Sequence, residues 1–167
     1  MSTRIAAIAT LAAFLGAAAT ATADETFKAR LTGAQEVPAV TDQGTTAKFE
    51  IQFNRDLTAG EFTLSVDSGI RVTQAHLHCA PVGVNGPIII WLAGIPPLQA
   101  TPNNGWDVDG KWVTNTTVTN DNIVNTACGS NLAAIANAMA QGRVDANVHS
   151  VAKPGGVARG QIESNHH

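Results

Sequence analysis

The sequence lacks most of the features that reveal a function directly. It has two cysteines among 167 residues, no Gly-x-Ser-x-Gly motif and no evident acid pair beside a histidine. Hydrolases need an activated nucleophile or a positioned acid and base, so we do not expect this type of enzyme. Acidic residues outnumber basic ones by 13 to 10, for a net charge of −3. This excess argues against nucleic acid or an anionic membrane as the partner.

The chain begins with the pattern of an export signal. Arg4 provides a short basic start, residues 5–19 are apolar, and Ala21-Thr22-Ala23 is a small-x-small cleavage site. The apolar run is shorter than the ~20 residues that span a membrane, and no later run approaches that length. We therefore expect residues 1–23 to be removed, leaving one periplasmic or secreted domain over residues 24–167 with no membrane span. An uncleaved signal anchor is the alternative.

Alternation of apolar and polar residues predicts strands along most of the remaining chain. The predicted strands cover residues 27–32, 48–54, 61–67, 71–79, 87–93, 113–119, 144–149 and 157–163. Ser68-Gly69 is predicted to be a turn, and residues 94–110 form the longest irregular stretch. One short helix is predicted near residues 131–141, with Ser130 as its N-cap and Gly142 at its end. About eight strands and one helix indicate an all-β fold, an antiparallel Greek-key sandwich or barrel.

The two cysteines, Cys79 and Cys128, are most simply explained as a disulfide in an exported protein. It would close a loop of about 50 residues, for which the chain-entropy estimate is ~4 kcal/mol. The alternative is a pair of thiolate metal ligands, which an oxidising compartment disfavours.

Three histidines form a candidate metal site. His76 and His78 lie two apart on a predicted strand, so both leave the same face, about 6.6 to 6.8 Å apart at the backbone. That face is opposite the apolar one, so they should point outward or into a cleft. His149 lies on the polar face of its own strand. If the two strands are neighbours, three imidazoles meet, a set that suits copper or zinc.

The alternative for these histidines is ordinary solvation on an exposed face, or a bond to a neighbouring carbonyl. His166 and His167 are terminal, and we assign them no role.

Four segments carry a resemblance to a known family. In chain order they are Leu31-Thr32-Gly33-Ala34-Gln35-Glu36-Val37-Pro38; Ala75-His76-Leu77-His78-Cys79-Ala80-Pro81 with Gly83-Val84-Asn85-Gly86-Pro87; Gly142 with Asn147-Val148-His149-Ser150; and Pro154-Gly155-Gly156 with Arg159-Gly160-Gln161-Ile162. The chain resembles chordin-type (CHRD) domains over essentially the whole mature length. Two departures are the single proline after Val37, where the family often has two, and Val144-Asp145, where an aromatic residue is common.

The resemblance implies an immunoglobulin-like or superoxide-dismutase-like sandwich. The family occurs in bacterial exported proteins and in animal chordin, beside modules that bind growth factors, and no general activity attaches to the domain. Function must therefore be argued from the site.

Glu36 and Arg159 occupy motif positions next to turns. A bidentate bond between them would clamp the first loop onto the last strand, which we favour over a role in ligand binding. Trp91, Trp106 and Trp112 are interpreted as core or loop anchors.

These observations predict an exported metal-binding module, most simply for copper, in storage, buffering or delivery. The alternative is a protein-interaction module of the envelope or extracellular space, using a sandwich face or residues 94–110. Catalysis of the superoxide dismutase type ranks third, because the chain lacks that enzyme's further histidines and its bridging ligand.

Overall fold

The computed structural model describes residues 25–42, 44–94 and 104–165. The predicted export signal, the two terminal histidines and residues 95–103 of the predicted irregular stretch lie outside the described residues. Residues 106–110 of that stretch belong to a strand, so this part of the prediction is wrong. The described part confirms the all-β prediction. Its elements are β1 (Thr26–Thr32), β2 (Thr46–Phe53), β3 (Ala59–Cys79), β4 (Ile88–Ala93), β5 (Trp106–Thr119), α1 (Leu132–Ala140), β6 (Val144–Ser150), β7 (Ala158–Gln161) and β8 (Glu163–Ser164).

Five strands close into an antiparallel barrel. Around the barrel the order is β1, β2, β3, β6 and β7, and the pairing of β7 with β1 through Arg159 and Thr32 completes the circuit. β4 and β5 add to β3, and β8 adds to β1. Strict alternation places one apolar set in the interior, because successive side chains of a strand point to opposite faces. This buried set includes Phe27, Leu31, Phe49, Phe53, Phe62, Leu64, Leu77 and Val148.

β3 is a single strand of 21 residues, so the predicted turn at Ser68-Gly69 is wrong. The strand continues through these residues with an irregular backbone. Ser68 and Arg71 have φ of 54° and 51°, and the register of the pairing with β5 shifts on both sides of Gly69. A bulge of this kind bends a strand without ending it. Consequently one strand pairs with β2 and β5 in its first half and with β4 and β6 in its second.

The helix lies where the sequence predicts it, with its N-cap one residue later. The Asn131 side chain accepts a hydrogen bond from the Ala134 N–H at 2.9 Å, and Ser130 precedes the cap. Both residue types cap helices well, so only the backbone path decides between them. Leu132, Ile135 and Met139 are buried against the barrel core. Within the described residues, no helix has the length and apolar character needed to cross a membrane.

The predicted disulfide is present. It joins Cys79, the last residue of β3, to Cys128, which precedes the helix, with a Cα–Cα distance of 5.6 Å. The bridge ties the end of β3 to the segment that leads into α1.

Candidate metal centre

The fold brings the three predicted histidines together. β3 and β6 are adjacent strands, with His76 opposite Asn147 and Gln74 opposite His149. One ligand nitrogen from each of His76, His78 and His149 lies within 4.8 Å of the others. The rings of His76 and His149 have centroids 4.5 Å apart. The expectation that the two strands are neighbours is therefore fulfilled.

The histidines point outward from the barrel wall as expected, but the expectation that they lie at the surface is wrong. The exposed fractions of His76, His78 and His149 are 1%, 8% and 6%. Their side chains leave the outer wall of the barrel, opposite the apolar face of β3, but chain segments and a tryptophan cover them. Strand alternation predicts which face a side chain leaves by and carries no information about what covers that face.

Two loops determine which ring nitrogen carries the hydrogen in His78 and in His149. His78 Nδ1 donates to the Gly86 carbonyl at 2.8 Å, and His149 Nδ1 donates to the Pro154 carbonyl at 2.9 Å. A carbonyl oxygen only accepts, so each Nδ1 carries the hydrogen and each neutral ring has a bare lone pair on Nε2. Histidines that bind metals are typically oriented by such a bond from the other ring nitrogen.

His76 completes the cluster from the same strand as His78. Its Nδ1 lies 3.3 Å from His78 Nε2, which is long for an N–H···N hydrogen bond. Two nitrogens that bind one tetrahedral ion at 2.0–2.1 Å are about 3.3 to 3.4 Å apart. The spacing of this pair thus matches one edge of a metal coordination shell. His76 Nε2 and His149 Nε2 are buried and have no hydrogen-bond partner.

Trp91 on β4 covers His76. The two residues face each other across the β3–β4 pairing, and their rings meet edge to face at a centroid distance of 4.4 Å and an interplanar angle of 87°. The sequence interpretation of Trp91 as a core or loop anchor missed this contact. Trp106 and Trp112 pack against each other at 5.8 Å.

Burial keeps all three imidazoles neutral. It lowers the pKa of His76 to about 2 and that of His149 to about 4, and it lowers the pKa of His78. The neighbouring imidazoles lower the pKa of His76 and His149 further, while the carbonyl bonds of His78 and His149 partly oppose the shift. Neutral imidazole is the form that binds a metal.

A buried charged group lies on the same outer face. Arg159 Nε is 3.3 Å from Glu36 Oε2 and 3.6 Å from Asp145 Oδ1, and Asn147 Nδ2 donates to Glu36 Oε2 at 3.4 Å. Arg159 therefore pairs with Glu36 as the sequence predicts, through one carboxylate oxygen rather than two, and its Nη1 donates to the Val84 carbonyl. The sequence analysis did not identify Asp145 and Asn147 as members of this group. The sequence pattern that could have identified them is the polar strand face that they share with His149.

The charged group has more buried acceptors than donors. Glu36 Oε1 and Asn147 Oδ1 have no hydrogen-bond partner. Both oxygens lie against Gly156, where a side chain would not fit, because a Cβ there would lie 2.8 Å from Asn147 Oδ1. Burial raises the pKa of Glu36 to about 7 and that of Asp145 to about 6, although the Arg159 charge opposes both shifts.

Fold and site together define a small antiparallel β-barrel protein with a histidine cluster covered on its outer wall. The family model described as CHRD domain matches residues 27–162, so the chain belongs to the CHRD-domain family. No curated protein and no solved structure matches the chain. The disulfide and the CHRD domain are both consistent with an extracellular location.

Proposed function

We propose that this CHRD-domain protein binds one transition-metal ion, copper or zinc, through His76, His78 and His149. The observation that carries the proposal is the meeting of three imidazole nitrogens within 4.8 Å. Two of the rings are held by backbone carbonyls in the tautomer that leaves Nε2 free.

The main alternative is that the histidines only pack. Buried polar atoms are usually hydrogen-bonded, and leaving one unsatisfied costs about 1 to 3 kcal/mol. His149 Nε2, the nitrogen whose lone pair is bare, carries this cost in the described structure. Coordination to a metal would recover it at a ligating nitrogen, whereas simple packing would not. This difference favours binding.

The proposed setting is export, with removal of residues 1–23 and a role in storage, buffering or delivery of the metal outside the cytoplasm. The mass of the protein recovered from the producing cells tests this part. We expect a chain that begins at Asp24; a chain that retains Met1 and remains in the cytoplasm would contradict export.

Metal stoichiometry tests the site itself. All proteins should carry His166→Ser and His167→Ser, because terminal imidazoles bind metals adventitiously. In this background we expect one copper or zinc ion per chain, and loss of that ion in His149→Gln, whose amide can still donate to the Pro154 carbonyl. Gln74→Ala is the matched control, since Gln74 lies opposite His149 in the strand pairing. Equal metal content in His149→Gln and the control would refute the proposal.

A second candidate, a protein-interaction module, is favoured by the loop between β3 and β4. Val82 and Val84 on this loop are 73% and 49% exposed. The Asn85 side chain of the loop donates to the Val37 carbonyl, and Arg159 Nη1 donates to the Val84 carbonyl of the loop. Crosslinking in the native compartment should then recover a partner from the wild type and not from Val82→Ser/Val84→Ser. Equal recovery from both proteins would argue against this role for the loop.

A further inference from the structure

We infer that the histidine cluster selects monovalent copper over zinc and divalent copper. The inference rests on the proposed function and specifies the ion. It follows from the charge of the ligands and from the space around them.

The ligands supply no negative charge. Among the described residues, the group that lies close enough to hold one ion consists of three histidines, with no thiolate or carboxylate among them. An ion that enters this site therefore keeps its full charge. The cost of transferring an ion from water into a poorly polarisable interior rises with the square of its charge, so it is about four times larger for a dication than for a monocation.

The nearest charged side chains do not remove this cost. Glu36 and Asp145 lie against the guanidinium of Arg159, and the two carboxylates and the guanidinium partly neutralise one another. Arg159 lies opposite Asn147 in the pairing of β6 with β7, and Asn147 lies opposite His76 in the pairing of β3 with β6, so this charged group is two strands from His76. Both carboxylates are paired with Arg159 and neither belongs to the ligand group, so neither cancels the charge of the ion directly.

The cover over the cluster leaves little room for a further ligand. Zinc sites with three histidines keep a fourth position for water, and divalent copper prefers tetragonal sites with more ligands. Here Trp91 packs on His76, and the Gly86 and Pro154 carbonyls hold the other two rings. His76 Nε2 and His149 Nε2 have almost no solvent-accessible surface. Monovalent copper forms stable complexes of low coordination number, so three nitrogens satisfy it without water.

Competition titrations test the preference. The mature chain with His166→Ser and His167→Ser is titrated anaerobically with tetrakis(acetonitrile)copper(I) against bicinchoninate, and with zinc sulfate and copper(II) sulfate against nitrilotriacetate. We expect one copper(I) ion per chain with a dissociation constant on the order of 100-fold below that of either dication. X-ray absorption at the copper edge should show a three-coordinate ion with the multiple scattering of three imidazole rings and no fourth ligand.

Tighter or equal binding of zinc or copper(II), lost in His149→Gln, would overturn the inference and leave the proposed function intact. Absence of any metal binding that depends on the histidines would overturn both.

Removing the Trp91 side chain that covers His76 tests whether lack of space for a further ligand causes the preference for copper(I). Trp91→Ala makes room for water beside His76, so the affinity for zinc should rise about tenfold or more relative to that for copper(I). Trp112→Ala, which removes a tryptophan that contacts Trp106, should leave the ratio unchanged. An unchanged ratio in folded Trp91→Ala would refute the role of space. If Trp91→Ala does not fold, the coordination number that X-ray absorption gives for the wild type decides: a fourth ligand refutes that role.

Discussion

Arg159 is the residue on which the buried polar layer of the barrel wall depends. It lies between the carboxylates of Glu36 and Asp145, and its Nη1 also reaches the Val84 carbonyl. Arg159 and Glu36 are each 5% exposed and Asp145 is 1% exposed. Burying charges away from water is costly, so removing one partner leaves an uncompensated charge in the interior.

Replacing Arg159 by Met should therefore destabilise the protein strongly. We expect a loss of about 3 to 5 kcal/mol in the free energy of unfolding, measured by urea denaturation at pH 7.5 without metal. Arg30→Met is the control, because Arg30 is exposed on β1 opposite Lys48, and its loss should change stability by no more than about 0.5 kcal/mol. A similar small effect for both variants would show that the carboxylates do not need the guanidinium.

Glu36 and the histidines should make the stability of the folded protein depend on pH in opposite directions. Burial raises the pKa of Glu36 from 4.5 to about 7, so the folded protein binds more protons there and stability falls as the pH rises through this window. Burial lowers the pKa of His149 from 6.5 to about 4, so the unfolded chain binds more protons and stability rises with pH between these values. His76 and His78 shift in the same direction as His149.

The variant Glu36→Gln separates the two contributions. Its stability relative to the wild type should increase as the pH rises from 4.5 to 7, by a change of order 1 to 3 kcal/mol, because only the wild type must ionise this buried carboxyl. Urea midpoints at pH steps across this range, in metal-free protein, provide the measurement. A constant difference between the two proteins would mean that Glu36 titrates as it does in the unfolded chain.

At the residue scale the sequence identified the three histidines and the Glu36–Arg159 pair. It did not show that the histidines are buried. The pattern around His76 gives its face on β3 but does not show that Trp91 lies opposite it in the register. Asp145 and Asn147 were similarly unremarkable, because a polar residue at an alternating position usually meets solvent. The loops that hold His78 and His149 follow their strands within eight and five residues, but alternation does not show that they fold back over this face.

Among the elements, β3 has the largest influence on the site. Its alternating pattern predicted two strands separated by a turn at Ser68-Gly69, a pair typical of turns. β2 pairs with β3 up to Asp67, β6 pairs with it from Val72, and β5 bridges the interval through Gly69. The strand therefore continues through a bulge, because each backbone group that joins a sheet gains a hydrogen bond that a turn would forfeit. Continuity of β3 places His76 and His78 beside β6.

The helix permits a test at the same scale. Asn131→Ala removes the acceptor for the Ala134 N–H and should cost about 1 kcal/mol, measured as a change in the free energy of unfolding. Asn137→Ala is the matched control within the helix, where alanine has the higher helix propensity, so this variant should be neutral or slightly more stable. Equal destabilisation by both substitutions would contradict the assignment of Asn131 as the cap.

For the whole molecule, the disulfide constrains the unfolded chain as well as the folded one. Cys79 and Cys128 are 49 residues apart, so the bridge closes a long loop. Cys79→Ser/Cys128→Ser should lower the free energy of unfolding by about 2 to 4 kcal/mol. The wild type unfolded in the presence of a reductant should show a similar loss, and a double variant as stable as the oxidised wild type would contradict the prediction.

The sequence by itself determined most of the strands, the short helix, the pairing of the two cysteines and the faces from which the histidines leave. These properties depend on the alternation of apolar and polar residues, on capping residues and on the number of cysteines, all of which can be read from the amino-acid sequence. Only the tertiary structure decided that the sheet closes into a barrel, that β3 continues through Ser68-Gly69, and that the histidines are buried. Those outcomes depend on which distant segments pair, as β3 pairs with β6, and on what lies over the barrel wall, as Trp91 lies over His76. The contacts that fix them join residues that no local pattern relates.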